Sequence, residues 1–224
     1  VLTTTRAIDL RTRRNDAELA KLLGRGEIAR AEQVHGARVA TLEATPGGPV
    51  PGADGLATRG ELVLLALGAD CPGVAIVGEE SVAVAHSGWR GAVADIGPNT
   101  VDALAAWGER RENLRAFVGP GIGACCFEVG DEVVAAFEAA HGPLGALVIV
   151  PGQKKKPHVD LKGAIARRLV ERAGLRPENV LVAPECTHCA AEKLFSRRRE
   201  GPGCGHHAVL AYLKGSGAEP RSPR

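Results

Sequence analysis

ELVLLALGADCPGVAIVGEESVAVAHSGWRG, residues 61–91, contains three short apolar runs: Glu61 to Leu67, Gly73 to Val77 and Ser81 to His86. Each is bounded by Gly, Pro, Asp or Glu, and the three read as strands. Upstream, an irregular or extended opening leads to a helix from Asp16 to Leu23, closed by Gly24. Residues 43–55 are rich in Gly and Pro, which fix turns and forbid regular pairing, and so read as a surface loop feeding a site. Downstream, GWRGAVADIGPNTVDALAAWG over 88–108 has apolar residues at helical spacing, with a break or restart expected at Gly97 and Pro98. Further strands are expected at Leu114 to Val118, Leu147 to Val150, Val180 to Ala183 and His207 to Leu213, and helices at Asp131 to Ala140 and Val159 to Ala173. Helices and strands mix without strict βαβ alternation. That pattern predicts an α/β (α+β) fold, a single domain of mixed β-sheets flanked by helices over residues 1–213. The tail, residues 214–224, is too polar and too rich in Gly and Pro to pack and is expected to be flexible.

A chain of 224 residues with 45% hydrophobic content can fill one sizeable core. Its charge is nearly balanced at +2, which removes the electrostatic footprint of a protein that binds a phosphate polymer. Aromatic content of 3% argues against the stacking platforms of single-strand binders. No stretch approaches roughly 18 unbroken apolar residues, and no basic-then-apolar secretory signal opens the sequence. The expectation is a cytoplasmic protein with small-molecule partners, and with neither nucleic acid nor membrane among them. Its six cysteines are expected as reduced thiols or metal ligands rather than as a disulfide framework.

Three constellations carry chemistry. In QVHGARV (33–39), GADCP (68–72) and AHSGWRG (85–91), one imidazole or thiol sits at the edge of an apolar strand beside a glycine. His35, Cys71 and His86 together suit zinc, whose catalytic sites use three protein ligands and keep a fourth position open; copper accepts the same set. Taken singly, each His also reads as a hydrogen-bonded structural residue and Cys71 as a small buried hydrophobe. In GPGIGACCFEVGDEV (119–133), the glycines and a following helix make a weak anion cradle, and Cys125 or Cys126 could serve as a nucleophile or simply line a pocket. In CTHCAAEKLFSRRREGPGCGHH (186–207), Cys186, Cys189, Cys204 and either His206 or His207 could form a structural zinc knot. Arg197, Arg198 and Arg199 of that stretch could grip phosphate through paired hydrogen bonds, or form a solvated basic face.

Taken in order, QVHG, ADG followed by AT, ADCP, AHSGWRG, GPGIGACCFEVG and CT followed by FSRRR resemble the YfiH family, long described as polyphenol oxidase or laccase-like. The resemblance runs from about Glu32 to Leu213. It implies a single α/β domain similar in fold to certain bacterial deamidating toxins, and a catalytic zinc on His35, Cys71 and His86. It also implies phosphorolysis of adenosine, inosine, guanosine and methylthioadenosine, with accompanying adenosine deamination. For that chemistry Asp70, beside Cys71, is the expected proton shuttle or orienting group. Arg90 is the expected first anion contact, with Arg59, Arg197 and Arg198 as further contacts. The chain departs from the family pattern where His206 follows Gly205, a place where members commonly carry Arg. Cys189 and Cys204 have no place in the pattern, and the arm before QVHG is short. The rivals to nucleoside chemistry are a copper oxidase of phenols, a hydrolase with Cys125 or Cys126 as nucleophile, and a binding protein organised by the Cys186 to His207 knot. A multicopper centre needs more imidazoles than seven histidines comfortably supply.

Overall fold

The computed structural model describes residues 1–25, 27–149 and 156–213. The three central apolar runs become β5 (Val63–Gly68), β6 (Gly73–Val77) and β7 (Val82–His86). Their lack of polar alternation has a plain cause: both faces of each strand are buried. Val63 and Leu65 of β5 face one apolar cluster while Leu64 and Ala66 face another. In β6, Val74 and Ile76 point away from Ala75, and in β7, Ala83 and Ala85 point away from Val82 and Val84.

Around them stand β1 (Leu2–Thr3), α1 (Asp16–Leu23), β2 (Ile28–Arg30), β3 (Val39–Leu42) and β4 (Gly55–Thr58) on the N-terminal side. Next come α2 (Trp89–Val93), α3 (Ile96–Ala105), β8 (Arg115–Val118), α4 (Asp131–His141), β9 (Val148–Ile149) and β10 (His158–Val159). The series ends with α5 (Leu161–Glu171), β11 (Val180–Val182), α6 (Arg197–Glu200) and β12 (His207–Ala211). Six strands form one mixed sheet in the order β11-β8-β6-β7-β4-β3, and four form a second in the order β1-β12-β5-β2, with a short β10-β9 pair beside them. The two large sheets pack face to face. Leu56, Leu64, Ala75, Val84 and Val209 lie between them. Gly73 permits the close approach, since a Cβ there would meet Val209 Cβ at 2.7 Å. Residues of α3, α4 and α5, including Val101, Phe137 and Leu169, cover the outer face of the six-stranded sheet. Leu10, Leu19 and Ala20 cover the outer face of the four-stranded one. The fold is therefore the expected single domain of mixed sheets flanked by helices.

Helix α1 spans Asp16–Leu23, and Gly24 caps it at φ 62°. The break in the following helical stretch falls at Ala94 and Asp95 rather than at Gly97 and Pro98. Pro98 occupies the first turn of α3, where a missing N–H costs nothing. The expected helix at Val159 starts later, because Val159 pairs in β10 and Asp160 caps α5 by accepting from Gly163 N. Gly55, expected in a loop, begins the fully buried β4, and the expected strand at His207 ends at Ala211. The end of the expected strand at Val150 and the expected tail 214–224 lie outside the described residues.

Candidate metal centre

Among the described residues, four connections cross from one sheet to the other: β2 to β3, β4 to β5, β5 to β6, and β11 to β12. Cys71 sits on the crossing from β5 to β6 and His35 on the crossing from β2 to β3, while His86 ends β7. Because Gly73 pairs with His86 and Gly55 with Ala85, the start of β6, the end of β7 and the start of β4 all meet at one rim. There one ligand atom each of His35, Cys71 and His86 lie within 4.8 Å of one another. The two imidazoles meet edge to face with centroids 4.7 Å apart.

The carboxylate that organises this rim is Asp54, buried just before β4. Its Oδ1 lies 3.0 Å from His86 Nδ1, which leaves His86 Nε2 for the cluster. It also accepts from the backbone N–H groups of Val34 at 3.1 Å, His35 at 2.9 Å and Gly36 at 2.7 Å. These bonds hold a bent backbone in which Gln33 and His35 both have φ of 63°. The Gln33 side chain continues the sheet, donating to Leu67 O and accepting from Leu67 N. Burial pushes the Cys71 thiol up, but hydrogen bonds from His35 and His86 outweigh it and bring the pKa down to about 7. Burial likewise lowers His86, and its bonds to Asp54 and Cys71 outweigh that and raise it to about 9. The donor set fits a metal ion: two imidazole nitrogens and an acidified thiol converge, with a carboxylate behind one imidazole. Gly88 leaves the needed room, since a Cβ there would stand 2.9 Å from Cys71 Sγ and 3.0 Å from His35 Cδ2.

The cluster opens on a cleft of about 770 Å³ lined by apolar Leu67, Ile122 and Phe127, by Arg11, Arg197 and Arg198, by Glu32, and by His206, whose imidazole burial holds toward the neutral form. His206, where the family pattern commonly has Arg, is thus part of the wall. Asp70 also lines the cleft, at φ 116°, but both its oxygens are engaged, one by Thr187 Oγ1 at 2.6 Å and the other by Arg198 N at 2.7 Å. It therefore positions α6 rather than presenting a free proton carrier. The Arg198 guanidinium donates to Cys126 O and Glu128 O, and that of Arg197 to Pro202 O. Arg199 turns inward to the carbonyls of Thr187, His188 and Leu194.

Three expected site residues lie outside the cleft. Arg59 follows the far end of β4 and stacks on Trp107, and the Arg90 guanidinium lies 4.2 Å from the centre of the Trp89 ring; neither lines the cleft. Cys125 is also outside the cleft, and although it is exposed, partial desolvation and the neighbouring thiols of Cys186 and Cys189 push its own thiol up, against a role as nucleophile. The expected knot of Cys186, Cys189, Cys204 and His206 does not form. Cys204 is buried with Ala69 and Phe195, while Cys186 and Cys189 group with Cys125 and Cys126. Asp54, Gln33 and Arg11 are site residues that the sequence reading missed. Gln33 heads the QVHG motif and Asp54 is the acid of ADG, at the end of a turn-rich loop, so both stood in motifs already quoted, whereas Arg11 stood in none.

A family model described as multi-copper polyphenol oxidoreductase laccase matches residues 8–214. A purine nucleoside phosphorylase of Deinococcus radiodurans is 40% identical over 199 residues, covering 85% of this chain and 73% of that protein. The adenosine deaminase RL5, from an unknown prokaryotic organism, is 32% identical over 199 residues, covering 84% of this chain and 76% of its own. The crystal structure of the Bacillus licheniformis protein YfiH matches with a TM-score of 0.78 at 27% identity, over 90% of this chain and 79% of that one. With the motifs, the fold and these matches in agreement, the chain belongs to the laccase-like YfiH family of enzymes.

Proposed function

We propose that the protein is a zinc-dependent purine nucleoside phosphorylase, acting on adenosine, inosine, guanosine and methylthioadenosine, with accompanying adenosine deaminase activity. The observation that carries the reading is one cleft lined by a His–Cys–His donor set, by Arg11, Arg197, Arg198 and His206, and by the apolar side chains of Leu67, Ile122 and Phe127. His35, Cys71 and His86 would hold the ion, which supplies Lewis acidity toward the purine or toward water. Asp54 fixes the His86 ring so that Nε2 faces the cluster. The apolar wall of Leu67, Ile122 and Phe127 suits a purine ring, while the arginines suit the phosphate that must approach the anomeric carbon. Asp70 keeps Arg198 at the cleft by accepting its backbone N–H. The cleft volume falls within the usual range for small-molecule sites.

Copper oxidation of phenols, the reaction in the family model's description, finds less support in the donor set. Among the described residues only two imidazoles share a metal-ligating cluster. Reconstitution with zinc and with copper, each assayed on a nucleoside panel and on a phenol, tests the reading. Base release by the zinc form is expected. Phenol turnover by the copper form with no base release by either would overturn it.

A further inference from the structure

Away from the cleft, two loops sixty residues apart bring four thiols together. Cys125 and Cys126 lie in the turn after β8, and Cys186 and Cys189 lie in the segment between β11 and α6. Thr187 N donates to Gly121 O at 3.0 Å, and a parallel bridge joins Gly121 to Cys186, so backbone pairing fixes the two loops side by side. All four Sγ atoms fall within 4.8 Å of one another. Cys126 Sγ is 3.5 Å and Cys125 Sγ 3.8 Å from Cys189 Sγ. A tetrahedral zinc with Zn–S near 2.3 Å sets its sulfurs about 3.8 Å apart, whereas a disulfide needs about 2.05 Å.

We propose that Cys125, Cys126, Cys186 and Cys189 form a second, structural metal site that takes a zinc ion as a four-thiolate centre, separate from the His35, Cys71 and His86 cluster. Its surroundings suit the negative charge that four thiolates around a divalent ion leave. Gly123 N donates to Cys186 Sγ at 3.2 Å. The buried Lys162 ammonium is held at the same loop by Ala183 O at 2.5 Å and Glu185 O at 2.9 Å, one residue before Cys186. Binding releases the thiol protons to solvent and involves no change of oxidation state.

The site also explains how the far wall of the cleft is kept in place. Cys126 O accepts from Arg198, and Phe127, next in sequence, lines the cleft. Thr187, next to Cys186, holds Asp70, which in turn holds the backbone of Arg198. The ion would tie together the two loops that carry these contacts, a mechanical role rather than a chemical one.

The test is metal stoichiometry together with thiol footprinting on the intact chain. Zinc-loaded wild-type protein, freed of loosely held metal, is expected to carry two zinc ions per chain. The Cys186→Ser/Cys189→Ser double variant is expected to carry one, and so is Cys71→Ser. Because the double variant could lose its fold, maleimide labelling of the wild type is read by peptide mass spectrometry before and after chelation. Cys125, Cys126, Cys186 and Cys189 are expected to be protected in the loaded protein and labelled after chelation. One zinc per chain with these four thiols freely labelled would overturn the proposal. So would their recovery as disulfide-linked peptides from zinc-loaded protein.

Discussion

Asp54 does at one residue what would otherwise take several: a single buried carboxylate orients His86 and gathers three successive backbone N–H groups around His35. Asp54→Asn keeps the shape but removes the charge, and should weaken zinc binding about 10- to 100-fold while the far-ultraviolet dichroism stays native. Competition with a chromophoric chelator measures this, and an unchanged affinity would show that Asp54 is not the orienting group. Gly88→Ala should lower zinc affinity by crowding Cys71 and His35. His207 makes a different prediction. Burial, and then the neighbouring His206, hold its pKa down at about 4, against about 6.5 in an unfolded chain. Between those values the unfolded chain binds more protons, so stability is full above about pH 6.5 and falls as pH drops toward 4, by on the order of 2–3 kcal/mol. Urea unfolding of the metal-free protein at pH 7 and pH 5 should show the larger part of that loss, about 1.5–2 kcal/mol, and His207→Gln should reduce it. At this scale the sequence was legible where a motif surrounds a residue, as with His35, Cys71 and His86. It was not legible for Arg59 and Arg90, because a nearby glycine says nothing about where a long side chain points, and both stack on tryptophans. The partners of Cys186 and Cys189 escaped for a related reason: Cys125 and Cys126 reach them through backbone pairing, not through spacing.

Elements place these residues by crossing between sheets. Cys71 lies on the connection that leaves the four-stranded sheet at Gly68 and enters the six-stranded one at Gly73, so its position depends on how closely the sheets pack. Gly73→Ala would force its methyl group against Val209, and should cost about 1–3 kcal/mol of stability. Its denaturant midpoint, compared with wild type, checks this. A midpoint unchanged within error would mean that the sheets separate more easily than the packing indicates. The strands β5 to β7 were readable because burial on both faces leaves unbroken apolar runs. The short β2, β3 and β4 were not, since three or four residues such as Gly55–Thr58 offer no period to read and follow a turn-rich stretch. Asp95 shows the same limit in a helix. Its φ of 60° separates α2 from α3 where Arg168 pairs with it across the fold, a tertiary contact that local propensity could not reveal.

Across the whole molecule, the two packed sheets share a rim where strand ends, crossing loops and the N-terminal segment bring metal donors and arginines into one cleft. No helix among the described residues is long and apolar enough to cross a membrane. If the arginines of the cleft hold phosphate, Arg11→Ala should raise the KM for phosphate with a smaller effect on the KM for nucleoside, since Arg11 lines the cleft and, among the described residues, its guanidinium donates to Gly203 O and its backbone N–H to Asp9. Equal effects on both constants would place the anion elsewhere. In the proposed function the His35, Cys71 and His86 cluster carries nucleoside phosphorolysis. Zinc-loaded wild type and Cys71→Ser, each incubated with inosine with and without phosphate, test it most directly by the amounts of free base and sugar phosphate formed. Equal amounts of base and sugar phosphate are expected from the wild type only when phosphate is present, falling to background in Cys71→Ser. Base release that ignores phosphate, or that survives in Cys71→Ser, would contradict it.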